Sequence, residues 1–289
     1  MLRLYQLSRS IPSTQSNWIV PLSMRSASTL VDWSAGEVEE AGRSVVLHYH
    51  LFKNAGSSVD EMLRQNFPGR WITQEFDLPP SERAQALLAF VQKNPQVDAI
   101  SSHSALLPVP QIENVRIFPI IFIRHPIDRL RSAYLFERAQ NSETLGSRLA
   151  KAHDFAGYLR EHLIIPNHRH VRNFQTYRLS RNCAGQRNRE LARALRALDR
   201  LPFVGLVEAF EKCLEHLESL LRSRFPGFRA EVARKNVTSS GMTLCERLAW
   251  ARDVLGQSLY AEICAANADD FALHQIVTER WGRLTTGKE

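Results

Sequence analysis

Short, unbroken apolar runs alternate along this chain with longer stretches of helical spacing. Four runs read as buried strands because they are short, apolar and β-branched: Ser44–Phe52, Asp98–Ser102, Arg116–Ile123 and Phe203–Leu206. Helical spacing predicts helices over Ser58–Asn66, Pro80–Lys93, Asp128–Gln140, Arg187–Asp199 and Glu208–Arg224. The stretch from Thr243 to Trp281 reads as mainly helical. Strands that are apolar throughout are covered on both faces. The pattern therefore predicts an α/β fold, a parallel sheet with helices on either side. Ligands of such sheets gather at the C-terminal ends of the strands. No internal repeat or long low-complexity tract interrupts this order.

Composition adds limits rather than a function. The 289 residues, 44% hydrophobic and 23% charged, are enough for a core that needs no disulfide or metal staple. Cys183, Cys213, Cys245 and Cys264 are widely spaced, and none forms a CxxC pair, which argues against a structural zinc site. No run approaches the roughly 20 apolar residues of a membrane helix. The net charge of +7, mostly arginine, fits a polyanionic partner and equally fits a solvated basic surface. Met1 to Ala41 is rich in Ser and carries Arg3, Arg9 and Arg25 ahead of its first acid, Asp32. It resembles a transit peptide slightly and lacks the apolar block of a secretory signal. The expected organisation is an N-terminal leader or extension over 1–41 and a single domain over 42–289.

Chemistry collects at three strand ends. The first strand runs into "HLFKNAGSS", His50–Ser58. Ala55 and Gly56 let backbone approach a ligand, and Ser57 and Ser58 open a helix whose first amides lack helical partners. The helix dipole is positive there, so phosphate or sulfate binds readily, and Lys53 adds a full charge. An ordinary strand-to-helix turn is the alternative. The lysine precedes the glycine, so this is not a GxxxxGK loop, and a magnesium-dependent nucleotide kinase is poorly supported. The third strand ends at Arg124, with Pro126 placed to start a helix. Arg124 and Ser132 could converge on a second phosphate. Alternatively, Arg124 pairs with Asp128 while Ser132 faces a neighbouring helix. The second strand ends at His103, a candidate general base. Together these suggest a nucleotide with two phosphate positions and proton removal from an acceptor.

The same segments resemble the Golgi-type carbohydrate sulfotransferases and their bacterial relatives, the uronosyl 2-O-sulfotransferases above all. "HLFKNAGSS" is similar to that family's HxPKTAGTS or HxPKNAGSS loop. "PIIFIRHPIDRLRSAY", Pro119–Tyr134, resembles its Arg-(Asp/His)-Pro segment with Arg and Ser further on. "ISSHSAL", "NFQTYRLS" and "FVGLVEAFEKCLEHL" resemble further segments, in family order, from about Val45 to Leu221. The resemblance implies a three-layer P-loop-like fold, with a central mostly parallel sheet flanked by helices and a helical C-terminal part. It implies 3′-phosphoadenosine 5′-phosphosulfate (PAPS) as donor and PAP as product, with no metal required. Lys53, Asn54, Ala55, Gly56, Ser57 and Ser58 would hold the 5′-phosphosulfate, and Arg124 and Ser132 the 3′-phosphate. His103 would be the base, and Lys53 would neutralise the leaving oxygen. Three positions depart from the pattern: Phe52 replaces a proline, Ser102 a glycine, and Tyr177 occupies an arginine slot, with Arg178 one place on. His50 reads as structural or outer-layer.

The expected partner is a glycan or other hydroxyl compound, with no nucleic acid and no membrane span. The runs His168–Arg172 and Arg181–Arg200 offer a track for an acidic glycan. For most of their arginines a solvated amphipathic helix, with Leu191, Ala194, Leu195 and Leu198 inward, is the favoured reading. Asn236-Val237-Thr238 is a glycosylation sequon only in a secretory setting. Lack of a signal anchor favours a bacterial cytoplasmic enzyme; a trimmed chain would fit the Golgi lumen. A catalytically inactive nucleotide- or glycan-binding protein of the same fold is the rival reading, motivated by Ser102 and Tyr177. The acceptor and the oligomeric state are not written in the sequence.

Overall fold

A computed structural model describes residues 42–231 and 241–286. The leader over 1–41 and the sequon at Asn236 lie outside the described residues. The first strand, β1 (Arg43–Tyr49), is the buried centre of the sheet: Val45, Val46 and Leu47 are at most 1% exposed. It is flanked on one side by β3 (Ala99–Ser102) and on the other by β4 (Val115–Ile120), both parallel. Outside β3 lies β2 (Trp71–Thr73), also parallel, giving the order β2-β3-β1-β4. After Ile121 the β4 chain continues as β5 (Phe122–Ile123), which changes neighbour and pairs in parallel with β6 (Gly205–Leu206). Pro119 lies in β4 opposite Leu47. It stands where β4 has a partner strand on one side only, a place where a missing N–H is tolerated.

The expected α/β architecture with a central parallel sheet is therefore present, with about ten helices around it among the described residues. The strands that sequence reading places at Ser44, Asp98, Arg116 and Phe203 all form, shifted or split at their ends. The first stops at Tyr49, because Leu51 to Ala55 turn sharply, and Phe52 belongs to that turn. Helix α1 (Gly56–Asn66) follows β1, and α2 (Arg83–Lys93) precedes β3. Helix α3 (Pro126–Ala139) starts on its proline. It is followed by α4 (Leu145–Ala152) and α5 (Phe155–Ile164), capped by Thr144 and Asp154 side chains that accept from Ser147 and Gly157 amides. Then come α6 (Phe174–Ser180), α7 (Glu190–Leu198) and α8 (Phe210–Leu221). The C-terminal stretch comprises α9 (Leu244–Ala266), opened by a Thr243–Glu246 capping box and broken at Gly256, whose φ of 68° is not helical, and α10 (Ala268–Thr286).

Two apolar clusters hold these elements. One surrounds the sheet and takes Leu63, Ile100, Phe118, Leu217 and Val277 from the strands and covering helices. The other joins α3, α4, α5 and α9 through Leu130, Ala150, Phe155, Tyr158, Leu159, Leu255 and Ile263. The second cluster places the back of α3 on the C-terminal helices and leaves its N-terminal end at the end of β5. In α7, Ala194 and Leu198 face inward as expected. Arg193, expected on the solvated face, is 7% exposed instead. It donates to the carbonyls of Ser180 and Gln186, so α7 uses one arginine as a fastener to α6.

Candidate functional site

The turn after β1 is built by two residues in the left-handed region, Lys53 (φ 64°) and Ala55 (φ 63°). Neither is glycine, so the surroundings must hold this backbone against its steric cost. Asn54, between them, does much of that. It is 2% exposed, and its amide donates to the Phe122 carbonyl and to Gln175 Oε1, both at 2.7 Å. Gln175 in turn accepts from the Arg124 amide at 2.9 Å and donates to the Arg124 carbonyl at 2.9 Å. One side chain of α6 thus fastens the end of β5 to the turn after β1. Gln175 and Thr176 amides both donate to Asp270 of α10, which fixes α6 itself. Asn54, expected to hold a donor, points into the protein as an anchor of the turn.

Helix α1 begins at Gly56 with no side-chain cap on its first amides. Ser57 is exposed and Ser58 half-buried beside them. An uncapped, positive helix end next to Lys53 is what an anion needs. Gly56 has a further task beyond the one read in the sequence. A Cβ there would stand 1.9 Å from His50 Nε2, so the missing side chain makes room for an imidazole. Lys53 Nζ lies 4.2 Å from the centre of the Phe136 ring. Burial, and then the charge of Arg124, lower its pKa from the ordinary lysine value.

Arg124 is 8% exposed. Its Nε and Nη2 donate to Asp128 at 2.9 and 2.8 Å, and its Nη1 donates to the Lys53 carbonyl at 3.0 Å. The pairing with Asp128 that the sequence left open is formed. Arg247 of α9 donates to the same carboxylate at 2.6 and 2.9 Å. Burial opposes ionisation of Asp128, but the hydrogen bonds of Arg247 and Arg124 outweigh it and hold its pKa down. Two of the five guanidinium N–H groups of Arg124 are not used by these bonds. Ser132 is 5% exposed, one helical turn beyond Asp128 on the same face of α3.

His103 stands just past β3. Its Nδ1 is 3.0 Å from the His50 carbonyl, which can only accept. The proton is therefore on Nδ1, and Nε2 carries the lone pair. The two rings lie 4.0 Å apart, and His50 Nδ1 is 3.0 Å from Asp60 Oδ2. Burial and the neighbouring His50 lower the His103 pKa, with Glu75 opposing in part. The residue is nevertheless exposed, so an outside molecule can reach it. Its amide donates to Glu75 Oε1 at 2.8 Å, and its carbonyl accepts from Arg178. Ser102, the departure from the family pattern, accepts from the Ala105 amide and donates towards Glu75. Its hydroxyl shapes the turn that carries the histidine. The guanidinium groups of Arg169 and Arg181 lie 5.0 and 5.5 Å from the Tyr177 ring centre.

The three strand ends therefore meet: the Arg124 fork touches the Lys53 backbone, and the His103 ring touches His50 at the root of the same turn. Four supports, Glu75, Gln175, Arg247 and Asp270, were not singled out in the sequence. A cavity of about 1060 Å³ lies elsewhere, between the start of β4 and the Arg193 face of α7. No helix of the described residues is long and apolar enough to cross a membrane.

No family model matches the chain. It is similar to an uncharacterized protein of Archaeoglobus fulgidus, at 39% identity over 247 residues. The match takes in 83% of this chain and 98% of the archaeal protein. At that identity and coverage the chain belongs to one family with it.

Proposed function

We propose that this protein is a PAPS-dependent sulfotransferase of P-loop-like fold that moves a sulfuryl group to a hydroxyl of a carbohydrate or other acceptor. The observation that carries the reading is the meeting of Lys53, Arg124 and His103 at neighbouring strand ends, with the His103 proton held on Nδ1. Nε2 then faces the outside as a base. It takes the acceptor hydroxyl proton while the acceptor oxygen bonds to sulfur. The bond from sulfur to the 5′-phosphate oxygen breaks in line, and PAP leaves. Lys53 and the first amides of α1 stabilise the charge that gathers on that oxygen. Arg124, with Ser132, takes the 3′-phosphate through its remaining N–H groups. Lysine and amides supply the neutralisation, so this chemistry needs no metal.

The resemblance of "HLFKNAGSS" and "PIIFIRHPIDRLRSAY" to the sulfotransferase segments supports the same roles. The experiment is a melting curve with and without PAP. PAP should raise the melting temperature, and Lys53→Ala or Arg124→Ala should remove the rise. Intact protein that ignores PAP would sink the proposal. An acceptor screen with labelled donor, across uronic-acid polymers, simple sugars, lipids and small alcohols, then identifies the second substrate. One observation favours the rival reading, a binding protein without catalysis: the Arg124 charge is already shared with Asp128. Sulfate transfer to any acceptor in that screen would eliminate it.

A further inference from the structure

A second group of histidines, His162 buried and His168 and His170 half-buried, lies beside the Phe52 turn, away from the strand ends. Glu137 comes from α3 and His162 from the last turn of α5. His168 and His170 come from the "HRHVR" run, read in the sequence only as basic. One side-chain ligand atom each of Glu137, His162 and His170 lies within 4.8 Å of the others. Glu137 Oε2 and His170 Nε2 are 3.4 Å apart. Two ligands on a tetrahedral ion, with bonds of about 2.0–2.1 Å, stand roughly 3.4 Å apart as well.

His162 supplies an independent sign. It is 1% exposed, and its Nε2 is buried without a hydrogen-bond partner. Buried polar atoms are nearly always paired, so this one asks for a ligand. Its Nδ1 is 3.0 Å from His168 Nδ1. With the proton shared along that contact from His162, Nε2 carries a lone pair, and His168 fixes the ring. Metal-bound imidazoles are held from outside in this way. Tyr158 lies beside the group, its hydroxyl 2.8 Å from His170 Nε2 and hydrogen-bonded to Glu137. The nearby Arg129 is turned to the His170 carbonyl at 2.6 Å, and Asp270 offsets its charge.

We propose that Glu137, His162 and His170 bind one divalent transition-metal ion of the zinc type, with His168 as the positioning residue. Two imidazoles with one carboxylate suit zinc, cobalt and nickel, whereas magnesium and calcium prefer all-oxygen ligand sets. The ion ties α3, α5 and the His168–His170 turn together. The His170 ring is 5.6 Å from Phe52, so the ion also braces the turn that carries Lys53. The site is structural, and the ion takes no direct part in the proposed sulfuryl transfer.

The test uses the full chain, stripped with a chelator and titrated with zinc and with cobalt. One equivalent should bind, zinc should raise the melting temperature, and cobalt should give the visible absorption of a low-coordinate nitrogen–oxygen site. His162→Ala should abolish binding, and His168→Ala should weaken it by about 10- to 100-fold. His48, His50 and Asp60 form the other group among the described residues that could hold an ion. His50→Gln should therefore leave the titration unchanged. Circular dichroism checks each variant for folding, and Glu137→Gln, which keeps the shape of the side chain, decides the matter if His162→Ala does not fold. The proposal is overturned by a folded chain that binds neither ion. It is equally overturned by binding that survives Glu137→Gln undiminished, or that His50→Gln removes.

Discussion

Two histidine groups stand on either side of the Phe52 turn, made of the same parts and left in different states. In the first, Asp60 bonds His48 at 2.8 Å and His50 at 3.0 Å, and the His50 carbonyl bonds His103. No ring nitrogen of that group is among the buried atoms without a partner, and the last ring is exposed. In the second, Glu137 and Tyr158 satisfy His170, but His162 keeps an unpaired nitrogen in the interior. Residue type alone does not separate these outcomes. What remains after the hydrogen bonds are counted does: an outward lone pair of known tautomer can act as a base, whereas an inward one is a vacant ligand.

The largest effect should come from the outward nitrogen. His103→Ala should lower turnover by roughly 10²–10⁴-fold, the ordinary range for a general base, while PAP binding by calorimetry stays intact. The pH profile gives a second view. The base works only when neutral, and burial with His50 pushes its pKa below the ordinary histidine value. The turnover efficiency kcat/KM should therefore rise with pH along a limb lying below about 6.5 and be level at neutral pH. A limb above that value, or one that persists in His103→Ala, would assign the proton elsewhere.

The next effect tests how tightly the first group is built. Gly56 opens a helix, where alanine is ordinarily better than glycine. Here a Cβ would meet His50 Nε2 at 1.9 Å. Gly56→Ala should therefore destabilise the protein by about 1–3 kcal/mol in a denaturant titration, against its helix propensity. In a His50→Ala background the same change should cost little or become favourable. Additive effects in that double-mutant cycle would show that the ring and the glycine do not share the space.

Much of this arrangement is readable along the chain, and the unread part has a common cause. The apolar runs at Val45–Leu47, Ala99–Ser102 and Ile117–Ile123 announce strands, and chemistry at strand ends is local, so Lys53, His103 and Arg124 stand out. The strand Trp71–Thr73 does not: it is three residues long, half open to solvent, and formed by its neighbour β3. Thr144 and Asp154 cap α4 and α5, a signal that the helical pattern of apolar residues does not show. The supports of the site are distant in sequence. Glu75 lies 28 residues from His103, Gln175 51 from Arg124, and Arg247 119 from Asp128. Their roles arise only when the fold closes. The same holds for "HRHVR", whose His168 and His170 turn to His162 and Glu137 although the run reads as a surface charge.

The smallest effect discriminates most between the two groups. Tyr158→Phe removes the hydroxyl that joins Glu137 to His170. In the metal-free chain Glu137 then keeps only the 3.4 Å contact to His170, and the imidazole loses its 2.8 Å partner. An unmet buried group costs about 1–3 kcal/mol, and the surviving contact places this case near about 1 kcal/mol. That corresponds to a fall of roughly 2–4 °C in melting temperature for a domain of this size. With a zinc ion on Glu137 and His170, both groups have a partner whether or not the hydroxyl is there. Saturating zinc should therefore shrink the difference between Tyr158→Phe and the parent protein. An equal difference with and without zinc would place Tyr158 in a plain hydrogen-bond network, and the second group would then be core like any other.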